Sequence, residues 1–445
     1  MSAMGFLLKS FPGLLKNAEK ESFIVKNLRQ AVERAYRTKF YRQKLADAKV
    51  DPGHIRSIGD FVGTVPLTTR EELERADPYD LLAIRPGEEC LIYAQTSGTT
   101  TSRPVPAWVT RREYEKTIEL ALCMPIFQKH MSREMRIAIC YPYTRTLAGR
   151  AGDLMVQKAG ATLVPIGTRN NMYPPEFAAD AIYRLKVDVI GAAATDAFAY
   201  ANILLDRGIR PDKLGVRYIM SGAEPCSENR ARALGKVWGG ARVFSLLGQN
   251  ESGFAGIPCE QNLMHIPSFA MFTEVMHEDG TPARRGERAL SVTTPTMREA
   301  MPLLRYVTGD YIEILNEPCP CGLPLPAMRV LGRKGTDVKL GPVSSFPIEL
   351  ENILYKAELN GVWYQIRAAP RRLEIAAEHR DKEDYPRLGE EIRKNFEAAF
   401  PGVAVEVKLV PQGSLYDYKE LRIGKPISRV MVESRRGGGE MIERA

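Results

Sequence analysis

Residues 93–104 read Tyr-Ala-Gln-Thr-Ser-Gly-Thr-Thr-Thr-Ser-Arg-Pro, a run of small hydroxyl residues around one glycine. Apolar segments flank the run on both sides, which predicts a strand, a polar turn and a second strand. Closely spaced backbone N–H groups and hydroxyls can bind a polyphosphate, and Gly98 lets a ligand approach the backbone. The run is not a Walker A loop, because no Gly-Lys-Ser/Thr follows at the required spacing. A solvated hairpin loop has the same composition, so both interpretations stay open at this point.

Beyond this turn, strand-like and helix-like segments alternate. β-favouring runs at 135–140, 161–165, 187–192, 216–221 and 241–247 are separated by helical stretches at 174–185, 196–207 and 227–238. This alternation predicts a parallel sheet with covering helices. Further helices are expected at residues 17–48 and 111–127.

The pattern breaks at residues 331–337, and the block that follows predicts a small α+β domain. It shows a helix near 347–355, a strand pair near 363–377, a helix at 385–400 and a strand at 404–410. We therefore predict an α/β fold with two domains. Residues 1–333 would form a large N-terminal domain with mixed and parallel sheets, and residues 334–445 a small C-terminal α+β domain.

Length and composition narrow the class of protein. The chain has 445 residues, 44% of them hydrophobic, and is too long for one compact core. Its net charge of +8 suits a protein that binds anions. Nucleic acid is not expected as a partner, since no dense Lys/Arg block with interleaved aromatics occurs. The most apolar stretch, residues 187–205, carries two aspartates, so no membrane span is predicted. Seven cysteines at uneven spacings and no signal-peptide core predict a reduced, cytoplasmic protein.

Three acidic motifs follow predicted strands. Residues 221–225, Ser-Gly-Ala-Glu-Pro, end a predicted parallel strand, where open α/β sheets bind ligands, although an ordinary strand-to-helix turn looks the same. Glu251 is a candidate Mg²⁺ ligand, since this ion prefers hard oxygen donors. Asp310 would end a strand and could accept hydrogen bonds from both ribose hydroxyls, or could only cap a Gly turn.

A second constellation contains sulfur. The pair Cys319 and Cys321, with Cys259 and His265 from an earlier segment, makes a Cys₃His set that suits a closed, structural zinc site. The spacing is unusual for zinc, so the pattern alone leaves the metal open.

One lysine near the end of the chain is a further candidate. Lys425 lies in a polar Gly-Lys-Pro loop and could bring a positive charge to a phosphate or carboxylate during reaction. A solvated lysine is the alternative, and Lys419 is the nearest competitor.

Taken together, the motifs resemble those of the acyl-adenylate-forming ligases, in particular the phenylacetate–coenzyme A ligase branch. Five short blocks occur in that family's order and extend over nearly the whole chain: residues 96–104, 222–225, 247–251, 305–310 and 332–333. The resemblance implies that the C-terminal domain is mobile and that ATP and a carboxylic acid give an acyl-adenylate. A thiol, usually coenzyme A, then attacks the adenylate.

The resemblance also implies a role for each site residue. The catalytic residues would be Lys425, which polarises the carboxylate, Glu251, which holds Mg²⁺, and Arg103, which stands where the family has Lys. The nucleotide would be bound by Ser97, Gly98, Thr99, Thr100, Ser221, Gly222, Ala223, Glu224, Pro225, Gln249, Asn250, Asp310 and Arg333. Tyr141, Tyr143 and Arg145 would lie near the acyl group. Members of the branch carry a zinc knuckle, which favours zinc at Cys259, His265, Cys319 and Cys321.

The chain departs from the family pattern at several positions. The phosphate loop is one residue longer, and Arg103 offers a planar fork instead of a point charge. Leu247 replaces an aromatic residue, and Asn250 replaces a hydroxyl. Arg145 could pair with a polar or second anionic group on the substrate. The hinge would be Gly335 or Asp337.

We therefore expect an AMP-forming acid–thiol ligase that uses ATP and Mg²⁺ on an aromatic carboxylic acid and then forms a thioester with coenzyme A, as a monomer or homodimer. The departures leave two alternatives: a biosynthetic ligase that passes the activated group to an amine, or one that activates another oxyacid such as nitrite. A non-catalytic nucleotide-binding relative is a third reading, against which Glu251, Asp310 and Lys425 argue.

Overall fold

The computed structural model describes Gly13, Lys16, Asn17 and residues 20–96, 103–168, 173–415 and 429–432. The chain divides into two compact units. Unit 1 takes in Met1–Ser132, Tyr143–Gly160 and Leu246–Val330. Unit 2 takes in Arg133–Pro142, Ala161–Ser245 and Leu331–Ala445. The chain therefore passes between the units several times.

Helices occur in both units. In the described residues, the α-helices are α1 Glu21–Ala35, α2 Lys39–Asp47, α3 Ile58–Thr64, α4 Arg70–Arg75, α5 Arg111–Leu122, α6 Pro125–His130, α7 Ala148–Ala159, α8 Pro175–Arg184, α9 Ala194–Asp206, α10 Glu228–Val237, α11 Pro347–Leu354 and α12 Tyr385–Ala399.

Strands also occur in both units, and one of them, Ala327–Arg333, crosses the boundary at Val330. They are β1 Leu91–Gln95, β2 Pro106–Thr110, β3 Arg136–Ile139, β4 Thr162–Pro165, β5 Val189–Ala192, β6 Tyr218–Ser221, β7 Arg242–Ser245, β8 Leu247–Gln249, β9 Gly253–Pro258, β10 Met264–His265, β11 Met271–Met276, β12 Arg288–Pro295, β13 Tyr306–Ile314, β14 Ala327–Arg333, β15 Val338–Leu340, β16 Val343–Ser345, β17 Tyr364–Ala369, β18 Arg372–Glu378, β19 Ala404–Val410 and β20 Val430–Val432.

Unit 2 contains the predicted parallel sheet. Its strand order is β4-β3-β5-β6-β7, and every neighbouring pair is parallel. Helix α9 packs so deeply that residues from Ala194 to Leu204 are all buried. The order reverses direction at β3, so the carboxyl ends of β3 and β5 form the crevice where doubly wound sheets bind ligands. The α/β prediction is confirmed, with both parallel and antiparallel sheets present.

The second part of unit 2 is the block of residues 334–432, which we call the C-terminal block. Its four-stranded sheet has the order β19-β18-β17-β20, with α11 and α12 beside it. One buried hydrophobic cluster joins this block to the parallel sheet and includes Phe198, Trp238, Leu354 and Phe396. The block matches the predicted α+β pattern, while the boundaries 1–333 and 334–445 and the mobility of the block stay predictions.

Unit 1 contains an antiparallel sheet of seven strands that the sequence patterns did not predict, with the order β11-β12-β13-β14-β10-β9-β8. The hairpin of β1 and β2 is as expected. The single helix predicted at residues 17–48 was wrong: α1 ends at Ala35, and Thr38 caps a new helix by accepting a hydrogen bond from the Tyr41 N–H. The single helix predicted at residues 111–127 was also wrong, because α5 ends at Leu122 and α6 begins at Pro125.

Candidate active site and metal centre

The Ser-Gly-Ala-Glu-Pro motif forms a tight turn in unit 2, directly after β6. Ser221 is the last residue of that strand, and its buried Oγ has no hydrogen-bond partner among the described residues. Ala223 has a φ of 68°, in the left-handed region that residues other than glycine rarely adopt. A Cβ added at Gly222 would lie 3.3 Å from the Tyr141 hydroxyl, so the backbone approaches that ring closely. The turn therefore presents backbone at the carboxyl end of a parallel strand.

The carboxylate of Glu224 is fully engaged within unit 2. It accepts hydrogen bonds from the backbone N–H and the hydroxyl of Thr195, both at 2.7 Å. Arg230 Nη1 lies 3.1 Å from Oε1, and Arg429 Nη2 lies 3.6 Å from Oε2. Burial by itself raises the pKa of Glu224, but the charges of Arg429 and Arg230 and the hydrogen bonds from Thr195 lower it to about 2. An adenine at this turn would therefore meet backbone and apolar surface and not this carboxylate.

In unit 1, the hairpin of β8 and β9 carries a second set of predicted residues. Gln249 Nε2 donates to Asp310 Oδ2 at 2.5 Å, and its Oε1 accepts from Ser252 at 2.8 Å. Glu251 is buried and accepts from the hydroxyl of Tyr306 at 3.1 Å. Three predicted residues, Gln249, Glu251 and Asp310, thus come together around β13.

The placement of Asp310 corrects one expectation. It does not end a strand but lies inside β13, where the ladder with β12 is irregular. Leu290 pairs with Tyr311 while Val292 pairs with Val307, so β13 has two residues more than its partner there. Gly309 takes a φ of 78° in this bulge. Bulges change the direction of a side chain and occur often beside active sites.

Asn250 connects three segments of unit 1. Its Nδ2 donates to the Gln95 carbonyl at 2.9 Å, and its Oδ1 accepts from the Leu147 N–H at 2.9 Å. Arg298 Nη2 donates to the Asn250 carbonyl at 2.7 Å. Gln95 is the last residue of β1, so Asn250 fixes the strand that leads into the hydroxyl-rich run.

The remaining residues predicted for the nucleotide site fall into two groups. Ser97, Gly98, Thr99, Thr100 and Lys425 lie outside the described residues. Arg103 and Arg333 are exposed, and both make interactions.

The residues proposed for the acyl group are divided between the two units. Tyr141, in unit 2, is buried and its hydroxyl donates to the Met220 carbonyl. Tyr143, in unit 1, donates to Asp153 Oδ1 at 2.5 Å. Arg145 is exposed and has a φ of 58°. Their roles toward a substrate stay predictions.

The four zinc candidates do come together, within unit 1. Their ligand atoms all lie within 4.8 Å of one another. Cys259 Sγ is 3.7 Å from Cys319 Sγ, and Cys321 Sγ is 3.4 Å from His265 Nε2. A tetrahedral zinc with Zn–S bonds of about 2.3 Å places two sulfurs about 3.8 Å apart. The spacing of the donors fits that ion.

The hydrogen bond on the other side of the His265 ring also fits a metal. His265 Nδ1 lies 2.9 Å from the Leu325 carbonyl, to which it can only donate, so the lone pair on Nε2 faces the thiols. This is the polarity that metal-binding histidines have in proteins. Burial lowers the pKa of His265, which favours the neutral ligand form.

A second group with suitable spacing consists of His379, Asp381 and Asp384 in unit 2. Here the polarity is reversed, because the Asn360 N–H points at His379 Nδ1 at 3.4 Å. The proton of the neutral ring then sits on Nε2 and faces the two carboxylates, at 3.7 and 3.9 Å. We assign no metal to this group.

Four residues that the sequence did not place at the site form a buried charge cluster with Glu224. Thr195, Arg230 and Arg429 contact its carboxylate, and Glu351 pairs with both arginines. A signal existed for Arg230, which shares the buried helical stripe of Ala233 and Leu234. A charge on an apolar helix face indicates a buried ion pair. Its partners could not be named, because they are far away in sequence.

The chain is similar in sequence and in fold to known enzymes. No protein-family model matches the chain. The phenylacetate-coenzyme A ligase of Thermus thermophilus is 28% identical over 328 residues, 72% of this chain and 71% of that protein. The enzyme of the same name from Escherichia coli is 24% identical over 358 residues, 78% of this chain and 79% of that protein.

Among solved structures, a 2-hydroxyisobutyryl-CoA ligase in its postadenylation state superposes with a TM-score of 0.81 and 17% identity, over 94% of this chain and 90% of that chain. This likeness shows the fold. The predicted resemblance to the acyl-adenylate-forming ligases, and to the phenylacetate–coenzyme A ligase branch, is confirmed. Within the described ranges, no helix has the length and apolar character needed to cross a membrane.

Proposed function

We propose that the chain is an AMP-forming acid–coenzyme A ligase that activates an aromatic carboxylic acid with ATP and Mg²⁺. The observation that carries this is the match to curated phenylacetate-coenzyme A ligases over 72% and 78% of the chain. The ordered motifs and the pairing of Gln249 with Asp310 at 2.5 Å support the same reading.

In the first half-reaction a carboxylate oxygen of the acid attacks the α-phosphorus of ATP, and pyrophosphate leaves. The turn at residues 221–225 would bind adenine through its backbone, and Asp310 would accept hydrogen bonds from the ribose hydroxyls. Glu251 would hold Mg²⁺, for which its buried carboxylate is a suitable hard donor. The cations of Lys425 and Arg103 would stabilise the charge that develops on the reacting oxygens.

In the second half-reaction the thiolate of coenzyme A attacks the acyl carbonyl carbon, and AMP leaves. AMP is a good leaving group, so the residues mainly have to orient the two reactants and exclude water.

The aromatic acid would bind near residues 141–145. Tyr143 offers a ring whose hydroxyl is fixed by Asp153, and Arg145 offers an exposed cation. A polar or second anionic group on the ring of the acid would pair with Arg145.

We also propose that Cys259, His265, Cys319 and Cys321 hold a structural zinc ion. All four coordination positions would then be protein ligands, so the ion would crosslink the hairpin of β9 and β10 to the segment between β13 and β14 and take no part in the reaction.

The experiment that tests the proposal is a pyrophosphate-release screen over carboxylic acids with the wild-type chain. An aromatic acid should trigger release, and Lys425→Ala should lower the rate about 100-fold or more, as expected for a residue that stabilises developing charge. Lys419→Ala is the matched control and should retain the rate. No release with any acid would refute the proposal.

The product of the same reaction distinguishes the acceptors. Mass spectrometry with coenzyme A, amines and nitrite offered separately should show only the thioester of the aromatic acid. An amide or a nitrite-derived product would identify one of the two alternatives. ATP binding without turnover would indicate a non-catalytic relative.

A further inference from the structure

The side chain of Glu224 fixes the turn at residues 221–225 to the rest of unit 2. Ala223 has a φ of 68°, which a residue with a Cβ keeps only where its surroundings impose it. The next residue, Glu224, is fixed by the N–H and hydroxyl of Thr195 at 2.7 Å. Whatever holds Glu224 therefore also holds the shape of the turn.

One of the groups on Glu224 comes from the C-terminal block. Arg429, which immediately precedes β20, reaches Glu224 Oε2 at 3.6 Å and also donates to the Thr195 hydroxyl. Its guanidinium stacks over Trp363, 4.3 Å from the ring centroid. The side chain is 12% exposed, so solvent screens this interaction little.

Glu351 on α11 is the fourth charged residue of the cluster that Glu224, Arg230 and Arg429 form. Glu351 Oε2 lies 3.2 Å from Arg230 Nη1 and 3.9 Å from Arg429 Nη1. It also accepts from the Ser227 N–H at 2.7 Å. Two arginines thus balance two glutamates in a buried space, and the loss of one leaves an uncompensated charge.

We propose that Arg429 is a positioning residue for the nucleotide-binding turn, because its contact with Glu224 couples the docking of the C-terminal block to the conformation of residues 221–225. This inference rests on the proposed function, in which that turn binds adenine. Coupling is reciprocal: a nucleotide at the turn stabilises the docked block, and the docked block strengthens nucleotide binding.

The test compares full-length variants for ATP affinity, by calorimetry, and for hydrogen exchange in α11 with and without ATP. Arg429→Met removes the charge and keeps a stem over Trp363. Arg380→Met is the matched control, since Arg380 also joins the C-terminal block to α9, but through Asp206 at 2.8 Å and away from the cluster around Glu224. We expect Arg429→Met to weaken ATP binding at least fivefold, the lower end of typical couplings, and to abolish ATP-dependent protection of α11. Arg380→Met should change neither.

A charge-balanced double variant separates positioning from simple destabilisation. Arg429→Met with Glu351→Gln removes one charge of each sign, so it should recover stability but not ATP affinity. Recovery of both would overturn the coupling, and so would wild-type affinity and protection in Arg429→Met. If Arg429→Met does not fold, Arg429→Lys decides: it keeps the charge without the planar fork and should still weaken binding. Wild-type affinity in that variant would overturn the coupling alone, whereas a wild-type chain that binds no ATP would overturn the proposed function and the coupling with it.

Discussion

The carboxylate of Glu224 lies between two arginines, and these surroundings determine its response to pH. Its pKa in the folded chain is about 2, below the ordinary value of 4.5. A carboxylate with a lowered pKa adds stability that is complete above 4.5 and is lost as the pH falls toward 2.

We therefore expect Glu224→Gln to reduce the free energy of unfolding by about 3 kcal/mol at pH 7 and by only about 1 kcal/mol at pH 3. Urea unfolding at both pH values measures this difference. Glu228→Gln, at an exposed first-turn position of α10, is a suitable control and should cost less than about 1 kcal/mol. An equal loss for Glu224→Gln at both pH values would contradict the ionised state of the buried carboxylate.

The sequence motifs indicated which residues come together better than they indicated what each side chain contacts. Gln249 and Asp310 pair at 2.5 Å, while a nucleotide role for them and for residues 221–225 stays a prediction. The sequence order of the blocks placed both residues in one predicted site. It did not indicate that the Glu224 carboxylate is occupied, because Thr195, Arg230 and Arg429 approach it from separate segments. Such an arrangement depends on long-range packing, which short motifs do not contain.

At the scale of elements, the bulge in β13 positions Asp310, and it depends on one glycine. Gly309 has a φ of 78° and free space where a Cβ would be. Substitution there therefore adds backbone strain without a steric clash. The glycine inside the strand pattern was the available sequence signal for this bulge.

Gly309→Ala should lower the free energy of unfolding by about 1 kcal/mol through this strain, and should raise the KM for ATP several-fold by moving Asp310. Thermal unfolding and steady-state kinetics measure the two effects. Gly280→Ala is the matched control, since Gly280 has a φ of 88° and equally free space in a remote turn. It should lose the same stability and keep its KM. An unchanged KM in Gly309→Ala would argue against Asp310 as the ribose ligand.

The sulfur cluster joins the hairpin of β9 and β10 to the segment before β14. Zinc analysis of the purified chain should give about one ion per chain, as expected for a closed four-ligand site. Cys321→Ser should lose the ion and unfold at a lower temperature, because metal binding energy contributes to folding. Cys90→Ser, at an exposed cysteine, should retain both properties. A metal-free wild-type chain whose Tm is insensitive to chelators would refute the site.

The elements that the sequence predicted well are those with one clear local pattern, such as alternating apolar and polar residues. Strand β19 matches its expected range of 404–410, since its apolar and polar residues alternate regularly. The seven-stranded sheet was missed for physical reasons: β10 has two residues, and β12 is buried on both faces, so its sequence shows no alternation. Hydrophobic spacing alone would continue α1 past Ala35, whereas Thr38 caps the start of a separate helix.

On the scale of the whole molecule, unit 2 has one hydrophobic core for two layers. Phe198 and Trp238 beside the parallel sheet share a cluster with Leu354 and Phe396 of the C-terminal block. Movement of the block away from the sheet would expose this apolar surface to water, so it requires compensating interactions elsewhere.

Leu354→Ala, at a fully buried position, should lower the free energy of unfolding by 2–5 kcal/mol, the usual cost of such a cavity. Because the core is shared, hydrogen exchange should accelerate together in β5 of the parallel sheet and in β17 of the block. Leu185→Ala, at an exposed leucine, should change neither. Faster exchange restricted to the block would show that the two layers unfold separately.

The alternation of the chain between the two units also affects the order in which a ribosome can build them. Unit 1 is complete only when Leu246–Val330 has emerged, and unit 2 only when the block beyond Leu331 has followed. At about 5–20 residues per second, synthesis from the end of β7 to the end of β20 takes about 10–40 s, and the nascent strands β3 to β7 lack part of their core until then. During that interval the apolar faces of these strands are exposed. We therefore expect chaperones that bind nascent chains to bind mainly the segment from β3 to β7.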